Sequence, residues 1–263
     1  MGVVLDARNI TKIYESGFVR TTQVKALDRV NLRVSQGEII SIVGESGSGK
    51  TTLAKIIARI EPPTSGDVVF LGKNVWKDIR EKEDIKWFYR NLNIILQDPY
   101  AVFNPFHKVD RVLEIALKLN GIDPSSEEGK KSILEAVKSV GLNPQEVLGR
   151  YPHQLSGGQK QRLIVARLYL IKPKLIISDE PVSMVDPSLR ALILKLLVDL
   201  VQATDSSMIF ITHDIGLAYH VATRMIVLYK GRIVEEGSPE EIVSQPREEY
   251  TRTLISSLPR VVR

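Results

Sequence analysis

Apolar positions along the chain change period several times, and those changes outline its elements. Residues 3–8 and 27–35 read as strands; in the second, Val30, Leu32 and Val34 alternate with polar residues, as a half-buried strand requires. The polar stretch between them, ESGFVRTTQ, is expected to form an exposed hairpin loop. Ile39, Ile40, Ile42 and Val43 make an apolar run, and Leu53, Ile56, Ile57 and Ile60 then recur at helical spacing. The prolines in EPPTSG (residues 61–66) end that helix, and residues 67–71 form the next strand. From 86 to 156 the pattern is helical: Val112, Ile115, Ala116 and Leu119 are predicted to share one face, and Ile133, Leu134, Val137 and Val140 another. Breaks fall at 121–124 and 141–144. A strand at 174–178, a helix at 188–203, a strand at 208–212 and a hairpin around 230–231 follow, and helical material closes the chain.

Between the apolar run and the first helix lies GESGSGKT: Gly44, Glu45, Ser46, Gly47, Ser48, Gly49, Lys50 and Thr51. It satisfies G-x-x-x-x-G-K-[ST] in full, in the strand–loop–helix context that motif requires. The three glycines permit backbone conformations in which successive N–H groups point at phosphate oxygens, and the helix adds the positive end of its dipole. Lys50 is placed to reach the β- and γ-phosphates, and the Thr51 hydroxyl to ligate Mg²⁺. The chemistry is therefore nucleotide triphosphate binding on an α/β core, with residues 1–85 and 157–240 as core plus a small antiparallel β subdomain. Residues 86–156 are the inserted helical subdomain and 241–263 a tail.

Further groups fit that chemistry. LIISDE (residues 175–180) is an apolar strand ending in two acids. Asp179 suits the Mg²⁺ shell, and Glu180, one position on, can polarise an attacking water; two carboxylates at a buried strand end are costly without a cation. His213 follows the strand MIFIT, at the carboxyl end where α/β folds place ligands, and can bond the γ-phosphate. In LSGGQ, Ser156 can cap a helix beginning near Gln159, with Gly157 and Gly158 baring its N–H groups. This second anion cradle lies in the helical part, which suggests that it serves a nucleotide held by another subunit.

GESGSGKT, the Gln97 segment ILQDPY, LSGGQ, LIISDEP, SMVDP and ITHD occur in the order and approximate spacing of the ABC transporter ATPase subunits. The resemblance spans nearly the whole chain. It implies a P-loop NTPase (RecA-like) core binding ATP and Mg²⁺. Lys50, Thr51 and Thr52 resemble the phosphate and Mg²⁺ residues, and Gln97 the glutamine that senses Mg²⁺ and the lytic water. Ser156, Gly157, Gly158 and Gln159 resemble the signature that closes on a partner's ATP. Glu180 resembles the catalytic base, Asp186 the D-loop aspartate, His213 the switch histidine and Tyr14 the aromatic that stacks on adenine. The D-loop departs from S-A-L-D as Ser183-Met184-Val185-Asp186, an apolar exchange that keeps the aspartate. YPHQLSGGQ, DEPVSMVDPS, QDPYAVFNP and the ending EEYTRTLISSLP are similar to the oligopeptide/dipeptide importer branch, which also includes importers of nickel and oligosaccharides. The implied partners are a second ATPase subunit, a distinct paralogue packed head to tail, two membrane-spanning permease subunits and an extracytoplasmic solute-binding protein. The implied location is peripheral, on the cytoplasmic face of the membrane. Tyr100–Phe106 are expected to offer exposed aromatics to a permease helix.

Composition adds exclusions. Among 263 residues, 43% are hydrophobic and 25% charged, as in a soluble globular protein. The +5 net charge comes without a Lys/Arg block, so no nucleic-acid partner is expected. With no cysteine there is no disulfide, Fe–S cluster or Cys-based zinc site. The start, MGVVLDARNI, lacks signal-peptide character, and no apolar run reaches membrane-spanning length. Soluble DNA-repair relatives carry a long coiled coil that the insert lacks, and translation factors carry two cassettes where this chain has one. An exporter ATPase is disfavoured only by the likeness of the tail and of PHQLSGGQ.

Overall fold

The computed structural model describes residues 2–16, 22–98, 102–183 and 185–256. In chain order the elements are β1 (Val3–Ser16), β2 (Thr22–Ser35), β3 (Ile39–Val43), α1 (Lys50–Ile57), β4 (Ser65–Phe70), β5 (Lys73–Asn74), α2 (Lys82–Asn91) and β6 (Leu92–Ile95). Then come α3 (Asp110–Leu119), α4 (Glu127–Ser139), α5 (Pro144–Val147), α6 (Gly157–Ile171), β7 (Leu175–Asp179) and α7 (Pro187–Thr204). The chain continues through β8 (Ser207–Ile211), α8 (Ile215–Val221), β9 (Arg224–Tyr229), β10 (Arg232–Gly237), α9 (Pro239–Ser244) and α10 (Glu249–Ser256). Two compact units result: Met1–Arg80 with Ser207–Arg263, and Glu81–Ser206.

In the first unit, β2, β1, β4 and β5 form an antiparallel sheet in that order. β3 runs parallel to both β8 (Ile39 opposite Met208) and β9 (Ile40 opposite Arg224), and β10 pairs antiparallel with β9. All five residues of β3 are buried, as are those of β8, which explains why neither shows polar alternation: both faces of a parallel sheet are covered. Val43, Ile215, Met225, Val227 and Ile242 form a core against which Tyr250, Leu254 and Ile255 of α10 pack. In the second unit, β6 and β7 pair in parallel, and α6 packs with α3, α4 and α7.

Several expectations need correction. The stretch from 86 onward is not all helix, because Leu92–Ile95 forms β6; four residues are too few to show a period, and pairing with β7 decides the matter. On α3 the buried positions are Leu113, Ala116 and Leu117, while Ile115 is exposed; two overlapping apolar stripes both fit helical spacing, and packing selects the other one. On α4, Ile133 and Val137 are buried but Leu134 is exposed. β1 continues well past residue 8, hidden by a register shift around Asn9, whose φ is 50°. Helix α1 ends at Ile57, before the prolines. Most of the expected hairpin loop, residues 17–21, lies outside the described residues, as do Tyr100, Met184 and residues 257–263.

Candidate functional site

From β3 the chain passes through residues 44–49 into α1. Gly44 has φ +151°, and a Cβ there would lie 2.2 Å from the Leu228 carbonyl oxygen; at Gly49, with φ +109°, it would lie 2.5 Å from that of Ala26. The backbone approaches β9 and β2 so closely that no side chain fits at either position. Gly49 is the N-cap of α1 and supplies no side-chain cap, so the first-turn N–H groups are not spent on one. Lys50, 6% exposed, folds into the loop, its Nζ donating to the Gly44 carbonyl at 2.7 Å, the Glu45 carbonyl at 2.8 Å and Ser48 Oγ at 3.3 Å. Glu45, Ser46, Gly47 and Thr51 are exposed and Thr52 is half-buried, so one side of the loop faces outward. An open backbone curve, a helix N-terminus and a buried ammonium together make an anion cradle.

Tyr14 on β1 stands beside α1. Its phenol donates to Glu61 Oε2 at 2.9 Å, with the Thr52 hydroxyl also within hydrogen-bonding reach. Lys12 Nζ pairs with Glu61 Oε1 at 2.9 Å and lies 5.1 Å from the Tyr14 ring centroid. Burial, then Glu61, pushes the Tyr14 phenol above its ordinary pKa, against the Thr52 bond. For the Glu61 carboxyl, burial pulls upward, but the bonds from Lys12 and Tyr14 outweigh it and leave it below its usual range. His213 is exposed just past β8, in a turn where Thr212 Oγ1 accepts the Asp214 N–H at 3.0 Å and the Asp214 side chain caps α8.

In the second unit, β7 ends in Asp179, which is 2% exposed, and Glu180 follows with φ +49°. That turn is held by Ser183, whose Oγ and N–H both donate to the Glu180 carbonyl, at 3.0 and 3.2 Å. Gln161 of α6 braces it further, donating to the Pro181 carbonyl at 2.6 Å. Ser156 caps α6 as expected, but the helix starts at Gly157, earlier than the sequence suggests. Gln159 completes a capping box, its N–H reaching Ser156 Oγ at 3.2 Å and its side chain accepting the Ser156 N–H at 2.9 Å. Gly158 is buried, and a Cβ there would meet Leu189 Cδ1 at 2.6 Å, so the start of α6 lies against the start of α7. Asp186 is exposed at the N-cap of α7 and does not itself cap it; Gln97 is exposed two residues beyond β6. Of the segment expected to carry exposed aromatics, Phe106 is 85% exposed, whereas Phe103 is buried at 5%.

Two contacts to the loop carry no local sequence signal. The Glu45 N–H donates to Tyr250 Oη at 2.9 Å, and the Gly231 N–H to the Ser48 carbonyl at 2.9 Å.

The profile of the ABC transporter family matches residues 27–183. The dipeptide transport ATP-binding protein DppF of Haemophilus influenzae is 38% identical over 261 residues, 98% of this chain and 79% of that protein. Its namesake in Escherichia coli is 37% identical over 257 residues, 98% of this chain and 76% of that one. Among solved structures, the dimeric post-hydrolysis state of the ATP-binding cassette MJ0796, bound to ADP and phosphate, superposes with a TM-score of 0.79. It is 30% identical and covers 89% of this chain and 98% of that one. A loop built to hold phosphates, in a chain that matches the family over more than half its length, has one consistent explanation: the chain belongs to the ABC transporter family.

Proposed function

We infer that this chain is the ATP-hydrolysing subunit of a multi-subunit importer of peptides. The observation that carries this reading is the Gly44–Thr51 loop at the uncapped start of α1, with Lys50 drawn into it. Gly44 to Thr52 bind and orient the β- and γ-phosphates, while Tyr14 offers its ring to the adenine. Glu180 takes the proton of the attacking water, His213 bonds the γ-phosphate, and Gln97 orients the water. Phosphoryl transfer asks little covalent chemistry of a protein, so positioning and charge supply most of the rate.

Among the described residues no three His, Asp or Glu form a metal cage. The oxygen donors of Thr51 and Asp179 suit Mg²⁺, which is typically held by one or two protein oxygens together with substrate phosphates. Thr51, exposed on the first turn of α1, and Asp179, buried at the end of β7, would hold it, with Gln97 nearby in role; it would supply charge neutralisation at the phosphates.

Ser156 to Gln159, with Asp186, serve the nucleotide of a second ATPase subunit, a distinct paralogue packed head to tail. Two permease subunits receive the pair at the cytoplasmic face of the membrane, and a solute-binding protein outside delivers the peptide. In support, no helix among the described residues is long and apolar enough to cross a membrane, and the relatives are named for dipeptide transport. The test is to purify the chain with its membrane complex, assay ATP turnover alone and in the complex, and identify the solute held by the binding protein. Turnover that rises in the complex, with a bound peptide, is expected. A stable homodimer of the isolated chain that turns over as fast as the complex would overturn the assembly, and bound sugar or nickel would overturn the substrate.

A further inference from the structure

The tail of the chain bonds directly to the P-loop. Tyr250, in the first turn of α10, accepts the backbone N–H of Glu45, the second residue of the loop, at 2.9 Å across a separation of 205 residues. Four observations show that this bond belongs to a built contact. The Tyr250 ring stacks on Tyr229, with centroids 3.9 Å apart and planes 24° apart. Tyr229 ends β9, and two residues later the Gly231 N–H grips the Ser48 carbonyl. Tyr250, Leu254 and Ile255 pack on the core that contains Val43, the residue immediately before Gly44. Finally, the chain ahead of α10 is pinned by Glu235, 9% exposed on β10, whose carboxylate accepts the N–H groups of Arg247 at 2.8 Å and Glu248 at 3.2 Å.

The loop needs such support. Gly44, Gly47 and Gly49 all have positive φ, and glycine loses the most conformational freedom on ordering. Lys50 restrains the loop through the Glu45 carbonyl, but a lysine that turns to phosphates must release it. Tyr250 holds the same residue through its N–H, a donor on which the lysine has no claim.

We propose that Tyr250 is a positioning residue for nucleotide binding, which fixes the first half of the P-loop through the Glu45 N–H and thereby links α10 to nucleotide occupancy. The proposal rests on the reading of this loop as the ATP site. By pre-ordering the loop, the bond lowers the cost of binding, and linkage makes the effect reciprocal: bound nucleotide steadies α10, and a loosened α10 weakens nucleotide.

The test uses the full chain with Tyr250→Phe, which removes one oxygen and keeps the stacked ring. ATP and ADP affinities, measured by calorimetry, should both fall two- to fivefold, the range for one partly exposed hydrogen bond. Hydrogen exchange should show ATP slowing the amides of 249–256 in the wild type and doing so less in Tyr250→Phe. A residue that only fills space would leave both readouts unchanged in Tyr250→Phe and would matter only in Tyr250→Ala. Wild-type affinity together with wild-type protection in Tyr250→Phe therefore overturns the brace alone. Failure of the wild type to bind ATP would overturn the site and the brace together.

Discussion

Replacing Lys50 by alanine tests the loop in two independent ways. In the structure its ammonium is buried and donates to the Gly44 and Glu45 carbonyls and to Ser48 Oγ, at 2.7, 2.8 and 3.3 Å. To serve the β- and γ-phosphates it must give up some of these bonds, so affinity gains only the difference between a charged phosphate contact and a charged carbonyl contact. Hydrogen bonds to charged groups contribute roughly 1.5–3 kcal/mol each. Taking about 1.4 kcal/mol, near the full width of that range, as the net difference, ATP affinity should fall ~10-fold. The loop without nucleotide also loses its central tie. Leaving the two carbonyls without their cation should cost about 1–2 kcal/mol, a fall of a few degrees in melting temperature for a chain of this size. Calorimetric titration with ATP and Mg²⁺, alongside thermal melts of the free protein, separates the two effects. A Lys50→Ala protein that binds ATP like the wild type would refute the assignment of the loop. One that loses affinity but melts unchanged would show that the carbonyl contacts add nothing to the free fold.

Glu180→Gln keeps the shape of the side chain and loses the base, so ATP should still bind while hydrolysis slows at least ~100-fold, within the range for general-base loss; unchanged turnover in the reconstituted complex would reduce Glu180 to a turn residue. Tyr14→Ala should weaken ATP and ADP alike by about 1 kcal/mol, the contribution of one aromatic stack, and equal affinities for mutant and wild type would return Tyr14 to a packing role. The Glu61 carboxyl titrates below its ordinary value when folded, so its contribution is present above the unfolded pKa and is lost as pH falls through the depressed folded one. Lys12→Met removes one of the two hydrogen-bonding partners that depress it and leaves Tyr14, so urea denaturation should lose less stability between pH 7 and acid in that variant than in the wild type; parallel acid limbs would contradict the pairing.

How much could be read in advance depended on whether the cause was local. The P-loop was legible because its glycines, lysine and flanking strand and helix are contiguous, and the structure finds that loop between β3 and α1. Ser156 as a cap was legible for the same reason, since the bond runs over three residues. β6 was not, because four residues carry no period and their strand state comes from pairing with a segment some eighty residues away. The buried face of α3 was misread because it is apolar over much of its circumference, and only its neighbours choose which stripe to cover. The tie from Tyr250 to Glu45 left no trace at either end: one is an ordinary helical tyrosine and the other a backbone N–H that any residue but proline would offer.

The candidate residues share a position that follows from burial. Gly44 follows β3, Glu180 follows β7, Thr212 and His213 follow β8, and Gln97 comes two residues after β6. In β3, β7 and β8 every residue is buried, so apart from Asp179, at the carboxyl end of β7, their side chains are turned into the core rather than toward a ligand. The first free choice comes where the strand stops, and there the backbone must turn sharply. Gly44 turns without a Cβ. Glu180 turns with one, at φ +49°, a conformation that costs about 1–3 kcal/mol for an ordinary side chain and persists only where the surroundings over-determine it. Those surroundings are present: Ser183 holds the Glu180 carbonyl with two donors, and Gln161 holds the next residue from α6. Glycine or asparagine would adopt this turn at lower cost. We propose that a glutamate stands there, in a fold that spends three hydrogen bonds to hold the turn, for what its carboxylate does.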